Sequence, residues 1–133
     1  MKPTHIEHLG IAVRSLEESI PLYEKLLGTK CYSIEEVWDQ KVKTAFFLVG
    51  QTKIELLEST DPGGPIGKFL EKKGEGIHHL ALAVENTSEA LQQAESLGIA
   101  TIDKKARKGA EGLDIGFLHP KSTGGVLVEF CSR

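Results

Sequence analysis

Four polar residues that interrupt apolar stretches are the part of this sequence best suited to chemistry. They are the histidines His8 and His79 and the glutamates Glu55 and Glu129. A buried carboxylate without a partner costs so much free energy that each must reach solvent, pair with another group or bind a cation. Two imidazoles and two carboxylates suit Mn²⁺, Co²⁺, Ni²⁺, Fe²⁺ or Zn²⁺ and leave positions open for water or substrate. The alternative interpretation is that each residue lies on the solvent-exposed face of its strand.

An internal repeat arranges these four residues in two corresponding pairs. When His8 is aligned with His79, the apolar residues on either side of them also coincide. Each half of the chain then closes on a strand-like run that carries one carboxylate among aliphatic residues, Glu55 in the first half and Glu129 in the second. If two such repeats pack with approximate twofold symmetry, all four side chains converge at the axis. The repeat therefore favours the metal interpretation over four independent surface residues.

The hydrophobic periodicity predicts the order βαβββ in both halves of the chain. In the first half Ser15 is the expected N-cap of the helix and Gly28 is expected to end it. In the second half the expected N-cap is Thr87 or Ser88. The short strands expected after the second helix lie near 99–102, 113–118 and 126–131. The predicted fold class is α+β, with two βαβββ repeats that form paired curved sheets around a metal-binding cleft.

A length of 133 residues predicts one domain, because two halves of this size are too small to fold independently. Repeat one is expected at about 5–59 and repeat two at about 76–131 of the single domain 1–133. The intervening segment, about 60–75, is rich in glycine and proline and is interpreted as a linker that contains a short helix.

The composition excludes several classes of partner. Nineteen acidic against sixteen basic residues give a formal net charge of −3, which argues against nucleic acid as the main ligand. No apolar run approaches the roughly 20 residues that cross a bilayer, and the N-terminus has no signal-peptide pattern. We therefore expect no membrane partner, a cytoplasmic location and two reduced cysteines, Cys31 and Cys131.

Four stretches of the sequence make it recognisable. They are 8–13, 50–57, 76–84 with its doubled histidine, and 117–129, which reads FLHPKSTGGVLVE. In these stretches the chain resembles the vicinal oxygen chelate superfamily, which is glyoxalase-like, and within it the methylmalonyl-CoA epimerase family. The resemblance covers essentially the whole chain, from Ile6 to Phe130.

The resemblance implies a vicinal oxygen chelate fold and a metal-dependent epimerase, an isomerase that interconverts (2R)- and (2S)-methylmalonyl-CoA. The reaction would remove the proton at C2 and return it on the other face, through an enolate that a divalent metal ion stabilises. The resemblance also implies that His8, Glu55, His79 and Glu129 are the metal ligands. The partners it implies are a CoA thioester substrate and a second copy of the chain, in a homodimer.

The proton carriers are less clearly assigned than the ligands. Some family members have a glutamate base on the middle strand, at the position of Thr44, and threonine cannot be a general base at neutral pH. Glu129 and Glu55 are therefore the expected catalytic residues, with Glu129 the preferred base. The alternatives are that Glu55 or Glu129 leaves the metal to act as a base, or that another residue supplies the second base. The sequence does not specify the native metal.

Two alternative functions remain on the sequence alone. One is a lactoylglutathione lyase of the glyoxalase I type, which shares the four-ligand pattern and also moves a proton between neighbouring carbons. The other is a non-catalytic module of the same fold that binds a metal or a small ligand. A basic group in the second half, which includes Arg107 and Lys108, suits the phosphates of CoA or is an ordinary solvated loop.

Overall fold

The structure is a computed structural model that describes all 133 residues. It contains eight strands and three α-helices, and its contacts divide the chain into two compact units. One unit is residues 9–78, and the other combines residues 1–8 with residues 79–133. The strands are β1 (His5–Ala12), β2 (Ser33–Val37), β3 (Val42–Val49), β4 (Thr52–Ser59), β5 (Gly76–Ala83), β6 (Arg107–Lys108), β7 (Asp114–Phe117) and β8 (Val128–Ser132). The helices are α1 (Leu16–Leu27), α2 (Pro65–Lys73) and α3 (Thr87–Ser96).

The predicted α+β class and the βαβββ order of both halves are confirmed. The first half is β1-α1-β2-β3-β4 and the second is β5-α3-β6-β7-β8, with α2 between them. None of the helices has the length and apolar character needed to span a bilayer.

In the unit 9–78, hydrogen-bonded strands follow the order β2-β3-β4-β1, and β3 is antiparallel to both of its neighbours. One face of these strands carries Ala45, Phe47 and Leu56, which pack with Leu16 at the start of α1. Successive residues of a strand point to opposite faces. The other face therefore carries Thr44 and the predicted site residue Glu55.

Local signals set the ends of α1 where the sequence predicted them. The Ser15 side chain accepts a hydrogen bond from the backbone N–H of Glu18 at 3.2 Å. Gly28 ends the helix in the left-handed conformation, with φ of 64°, which glycine adopts without the steric cost of a Cβ. The helix continues through Pro21, whose missing N–H removes one hydrogen bond of the first turns.

In the unit 1–8 and 79–133, the strand order is β5-β8-β7-β6, with β5 parallel to β8 and β8 antiparallel to β7. Helix α3 packs on one face of these strands, where its residues Leu91 and Ala94 are in one buried cluster with Phe130 of β8. The approach is close, because a Cβ on Gly116 of β7 would lie 2.6 Å from a methyl carbon of Leu91. The opposite face carries a separate cluster of buried residues, which includes Ala81 and Ile115.

Two details of the expected second half were wrong. Asn86, and not Thr87 or Ser88, caps α3, since its side chain accepts from the backbone N–H of Glu89 at 3.0 Å. Residues 99–102 form no strand beyond one isolated bridge, and the second strand of this repeat is Arg107–Lys108.

The predicted linker contains the short helix that was expected, α2, which buries Ile66 and Leu70.

Candidate metal centre

Three of the four predicted ligands lie together in the unit 1–8 and 79–133. His8 is on β1, His79 on β5 and Glu129 on β8, and they are 4%, 7% and 3% exposed. Two Nε2 atoms and one carboxylate oxygen face each other: the His8 and His79 Nε2 atoms are 3.0 Å apart. Glu129 Oε1 is 3.2 Å from the Nε2 of His79 and 3.5 Å from the Nε2 of His8.

The parallel pair of β5 and β8 positions two of these side chains. Ala81 lies opposite Glu129 in that pair, so His79, two residues earlier on β5, shares the face of Glu129. Ala81 is fully buried and its methyl group leaves room for the longer side chains beside it. On the other side Glu129 is paired with Phe117 of β7, whose ring meets the His79 ring edge-on at 5.7 Å.

The distances among these three atoms are compatible with ligation of a single cation. Nitrogen and oxygen ligands bound at about 2.1 Å to one metal ion are separated from each other by roughly 3.0 to 3.4 Å. The three separations here are 3.0, 3.2 and 3.5 Å. Two ring nitrogens and one carboxylate oxygen converge at a buried position, and these are the ligand atoms that an intermediate divalent ion prefers.

Electrostatics keep Glu129 ionised in this setting. Burial by itself would raise the pKa of the Glu129 carboxyl, because it penalises the charged form. When the His79 and His8 rings carry their second proton, their hydrogen bonds and charges outweigh that penalty and lower the pKa to about 2. Glu129 is thereby held in its ionised form, which is the state in which a carboxylate binds a metal.

A comparison with protein families identifies the fold. The model of the glyoxalase/bleomycin resistance protein/dioxygenase superfamily matches residues 7–117, which include His8, Glu55 and His79. The chain belongs to this superfamily. Glu129 lies beyond the matched range, so its place in the candidate centre is supported by the geometry described above.

Several relatives of this chain are methylmalonyl-CoA epimerases by name. The ethylmalonyl-CoA/methylmalonyl-CoA epimerase of Cereibacter sphaeroides is 36% identical over 126 residues, which cover 93% of this chain and 94% of the relative. The mitochondrial methylmalonyl-CoA epimerase of Mus musculus is also 36% identical, over 93% of this chain and 70% of the relative. A Streptomyces coelicolor methylmalonyl-CoA epimerase in complex with 2-nitronate-propionyl-CoA superimposes with a TM-score of 0.95. It is 30% identical, and the match covers 99% of this chain and 96% of that one.

The fourth predicted ligand, Glu55, belongs to the unit 9–78. It is buried on β4 and lies opposite Phe46 of β3. Thr44, two residues before Phe46, shares the face of Glu55 and is also buried. Across the other edge of β3, Thr44 is paired with Glu35 of β2, a carboxylate that the sequence pattern did not single out.

The structure adds a residue to the candidate centre that the sequence pattern missed. The carboxylate of Glu7 lies 2.6 Å from Nδ1 of His8, the ring nitrogen opposite the one that faces His79. Glu7, His8 and Cys131 also have their potential ligand atoms within 4.8 Å of one another. An acidic residue directly before a predicted histidine ligand was the available signal. Strand alternation argued against it, because neighbours on a strand point to opposite faces.

The remaining histidines of the chain have other surroundings. His78 points away from its neighbour His79 as strand alternation predicts, and its ring meets Phe69 of α2 edge-on at 5.0 Å. His119 is a turn residue, since its Nδ1 accepts from the backbone N–H of Lys121 at 3.1 Å. His5 lies 2.9 Å from the Thr4 hydroxyl.

Two basic residues of the second half, Arg107 and Lys108, are ion-paired. Arg107 contacts Asp103 at 3.0 Å, and Lys108 contacts Asp114 at 2.7 Å. Asp103 also accepts from the backbone N–H of Phe117, so it anchors Arg107 over the Phe117 ring at 5.7 Å. Arg107 is thereby linked, through one aromatic ring, to the His79 side of the candidate centre.

Proposed function

We propose that this protein is a divalent-metal-dependent epimerase that interconverts (2R)- and (2S)-methylmalonyl-CoA. Sequence relatives and solved structures of this name, one of them holding a CoA derivative, support the enzyme class and the substrate. The observation that carries the proposal is the convergence of two buried imidazoles and one ionised carboxylate within 3.5 Å of each other.

The proposed metal ligands are His8, His79 and Glu129, with Glu55 as the fourth. When bound, a divalent ion supplies positive charge that stabilises the oxyanion of the enolate left after the C2 proton departs. The protein's own contribution is to present two imidazoles and an ionised carboxylate without reorganisation. Apolar residues behind them, Ile115 and Phe117 among them, lower the local dielectric and strengthen each charge interaction.

Proton transfer at C2 needs an acceptor on one face of the substrate and a donor on the other. Glu129 and Glu55 are the carboxylates proposed for this work. The low pKa of Glu129 makes it a weak proton acceptor and supports its role as a ligand, which favours Glu55 as the base. Glu35 shares the strand face of Glu55 and Thr44, and we propose it as the further carboxylate that compensates for threonine at the middle-strand position.

Ligand and base roles are separable with two isosteric variants. Glu129→Gln, which removes a charged ligand, should lose both bound metal and turnover. Glu55→Gln as a base variant should keep its metal content and lose turnover, whereas as a ligand variant it should lose both. Metal content by mass spectrometry and turnover on the same preparations distinguish these outcomes, with the exposed Glu71→Gln as the matched control.

The epimerase reaction is tested by incubating the protein with Co²⁺ or Mn²⁺ and one epimer of methylmalonyl-CoA in D₂O. The expected result is deuterium at C2 and appearance of the other epimer, both abolished by a chelator and restored by the metal. If neither deuterium nor the second epimer appears in the loaded protein, the proposal is wrong.

A lactoylglutathione lyase of the glyoxalase I type is the second candidate, because the matching family model includes glyoxalases. It predicts consumption of the hemithioacetal of glutathione and methylglyoxal by the same metal-loaded protein. A non-catalytic binding module predicts neither reaction, although metal addition would still raise the unfolding temperature.

The domain organisation and the oligomeric state are proposals as well. We propose that residues 1–133 act as one domain, with repeats at about 5–59 and 76–131 and the connecting segment at about 60–75, and that two copies form a homodimer. The mixed make-up of one compact unit, which takes residues 1–8 from the first repeat, supports the single domain. A single thermal transition that coincides for circular dichroism and fluorescence, and a dimer mass by light scattering, are the expected results.

A further inference from the structure

We propose that Glu7 is a positioning residue for the candidate metal centre, which holds His8 in the tautomer that presents Nε2 as a ligand. The inference rests on the proposed function in so far as His8 binds a cation. It adds a residue that neither the repeat nor the predicted ligand set includes.

The contact between Glu7 and His8 is short and nearly sealed from water. Glu7 Oε1 lies 2.6 Å from His8 Nδ1, and the two side chains are 13% and 5% exposed. Consecutive residues of β1 leave the strand on opposite faces, so the glutamate must turn back along the strand to reach the ring. Cys131, a fully buried residue of β8, has its sulfur within 4.8 Å of both partner atoms. Strand geometry alone does not produce this contact.

The chemistry of the two groups decides which nitrogen carries the proton. An ionised carboxylate has only acceptor sites, so a hydrogen bond between Glu7 and neutral His8 requires the proton on Nδ1. The lone pair of His8 then lies on Nε2, which faces Nε2 of His79 at 3.0 Å and Oε1 of Glu129 at 3.5 Å. In the other tautomer an N–H would point among the three ligand atoms and would exclude a cation. Metal-binding histidines in general donate their second ring nitrogen to a carboxylate or carbonyl for this reason.

The tautomer is measured first, on metal-free protein, so that the result does not depend on any enzymatic activity. Long-range ¹H–¹⁵N correlation spectra at about pH 8, where imidazoles with ordinary pKa values are neutral, separate the protonated from the unprotonated ring nitrogen. His8 signals are assigned by their loss in His8→Gln. In the unchanged protein we expect Nδ1 of His8 to be the protonated nitrogen. Glu7→Ala should shift His8 toward a mixture of tautomers, and Glu7→Gln should keep Nδ1 protonated because the amide oxygen still accepts.

The second measurement is Co²⁺ affinity by competition with a chromophoric chelator. Removal of a carboxylate behind a histidine ligand typically weakens metal binding by about 10- to 100-fold. We expect a loss in that range for Glu7→Ala, a loss near its lower end for Glu7→Gln, and no change for the exposed control Glu71→Ala. Turnover of both Glu7 variants should recover at saturating Co²⁺, which a general defect in folding would not allow.

Two results would overturn the positioning role. One is a His8 that stays protonated on Nδ1 in Glu7→Ala with Co²⁺ affinity within twofold of the unchanged protein. The other, decisive if Glu7→Ala does not fold, is an unchanged metal-free protein in which His8 carries its proton on Nε2 and not on Nδ1. If the unchanged protein binds Co²⁺ but is inactive as an epimerase, the proposed function fails while the role of Glu7 stands.

Discussion

The ionised state of Glu129 predicts a specific acid sensitivity of the metal-free protein. The pKa of Glu129 is about 2 in the folded chain, against an ordinary value of 4.5 that applies when it unfolds. Because the folded pKa is the lower one, this group stabilises the fold fully above about pH 4.5, and the contribution is lost as the pH falls toward 2. Between about pH 5 and pH 3 the shift corresponds to a loss of about 2 kcal/mol in the free energy of unfolding.

Glu129→Gln removes the titrating group and keeps the side-chain shape. Urea unfolding followed by circular dichroism, with a chelator present, should show the free energy of unfolding fall by about 2 kcal/mol more in the unchanged protein than in Glu129→Gln over that pH interval. All other carboxylates are common to both proteins, so the difference reports on Glu129 and its coupling to His8 and His79. Glu71→Gln, on the exposed side of α2, should behave like the unchanged protein. Parallel pH dependences of the unchanged and Glu129→Gln proteins would refute the assigned electrostatics.

Three further substitutions test the fold and the site. His79→Ala should lose the thermal stabilisation that Co²⁺ gives the unchanged protein, about 2.7 kcal/mol at 100 times the dissociation constant, in a melting experiment with and without metal. Gly116→Ala should cost about 1 to 3 kcal/mol in urea unfolding, since the added Cβ would lie 2.6 Å from Leu91; Gly63→Ala, with its nearest neighbour at 3.4 Å, should be near neutral. Asn86→Ala should cost about 1 kcal/mol, because the backbone N–H of Glu89 loses its acceptor.

Features that depend on a few neighbouring residues were predictable from the sequence. The Ser15 cap and the Gly28 terminus follow from hydrogen bonding and backbone freedom within one turn. The cap of α3 was misplaced by one residue, because Asn86, Thr87 and Ser88 are all competent caps and their local propensities do not separate them. The buried hydroxyl of Thr87 instead binds the Ser132 hydroxyl at 2.7 Å, a partner far away in the chain.

The strands of the second half were less predictable for the same reason. Residues 99–102 have an apolar pattern but contribute one isolated bridge, between Thr101 and Leu118. The strand on the outer side of β7 is the dipeptide Arg107–Lys108, whose charged side chains give no apolar alternation. An edge strand forms where the neighbouring strand offers unpaired backbone N–H and C=O groups. The sequence alone does not show where those groups are.

The sequence by itself determined the residue types of the candidate centre and their correspondence between two repeats. His8, His79 and Glu129 could be named because a histidine or carboxylate within an apolar strand needs a compensating partner. Only the tertiary structure decided the distances among them and the contact of Glu7 with His8. The physical reason is the sequence separation of the residues involved. Helix capping and the cost of burying a charge can be inferred from a few neighbouring residues, whereas the distances between ligand atoms depend on the register of strands that are far apart in the chain. The parallel pairing of Ala81 with Glu129 is one such register.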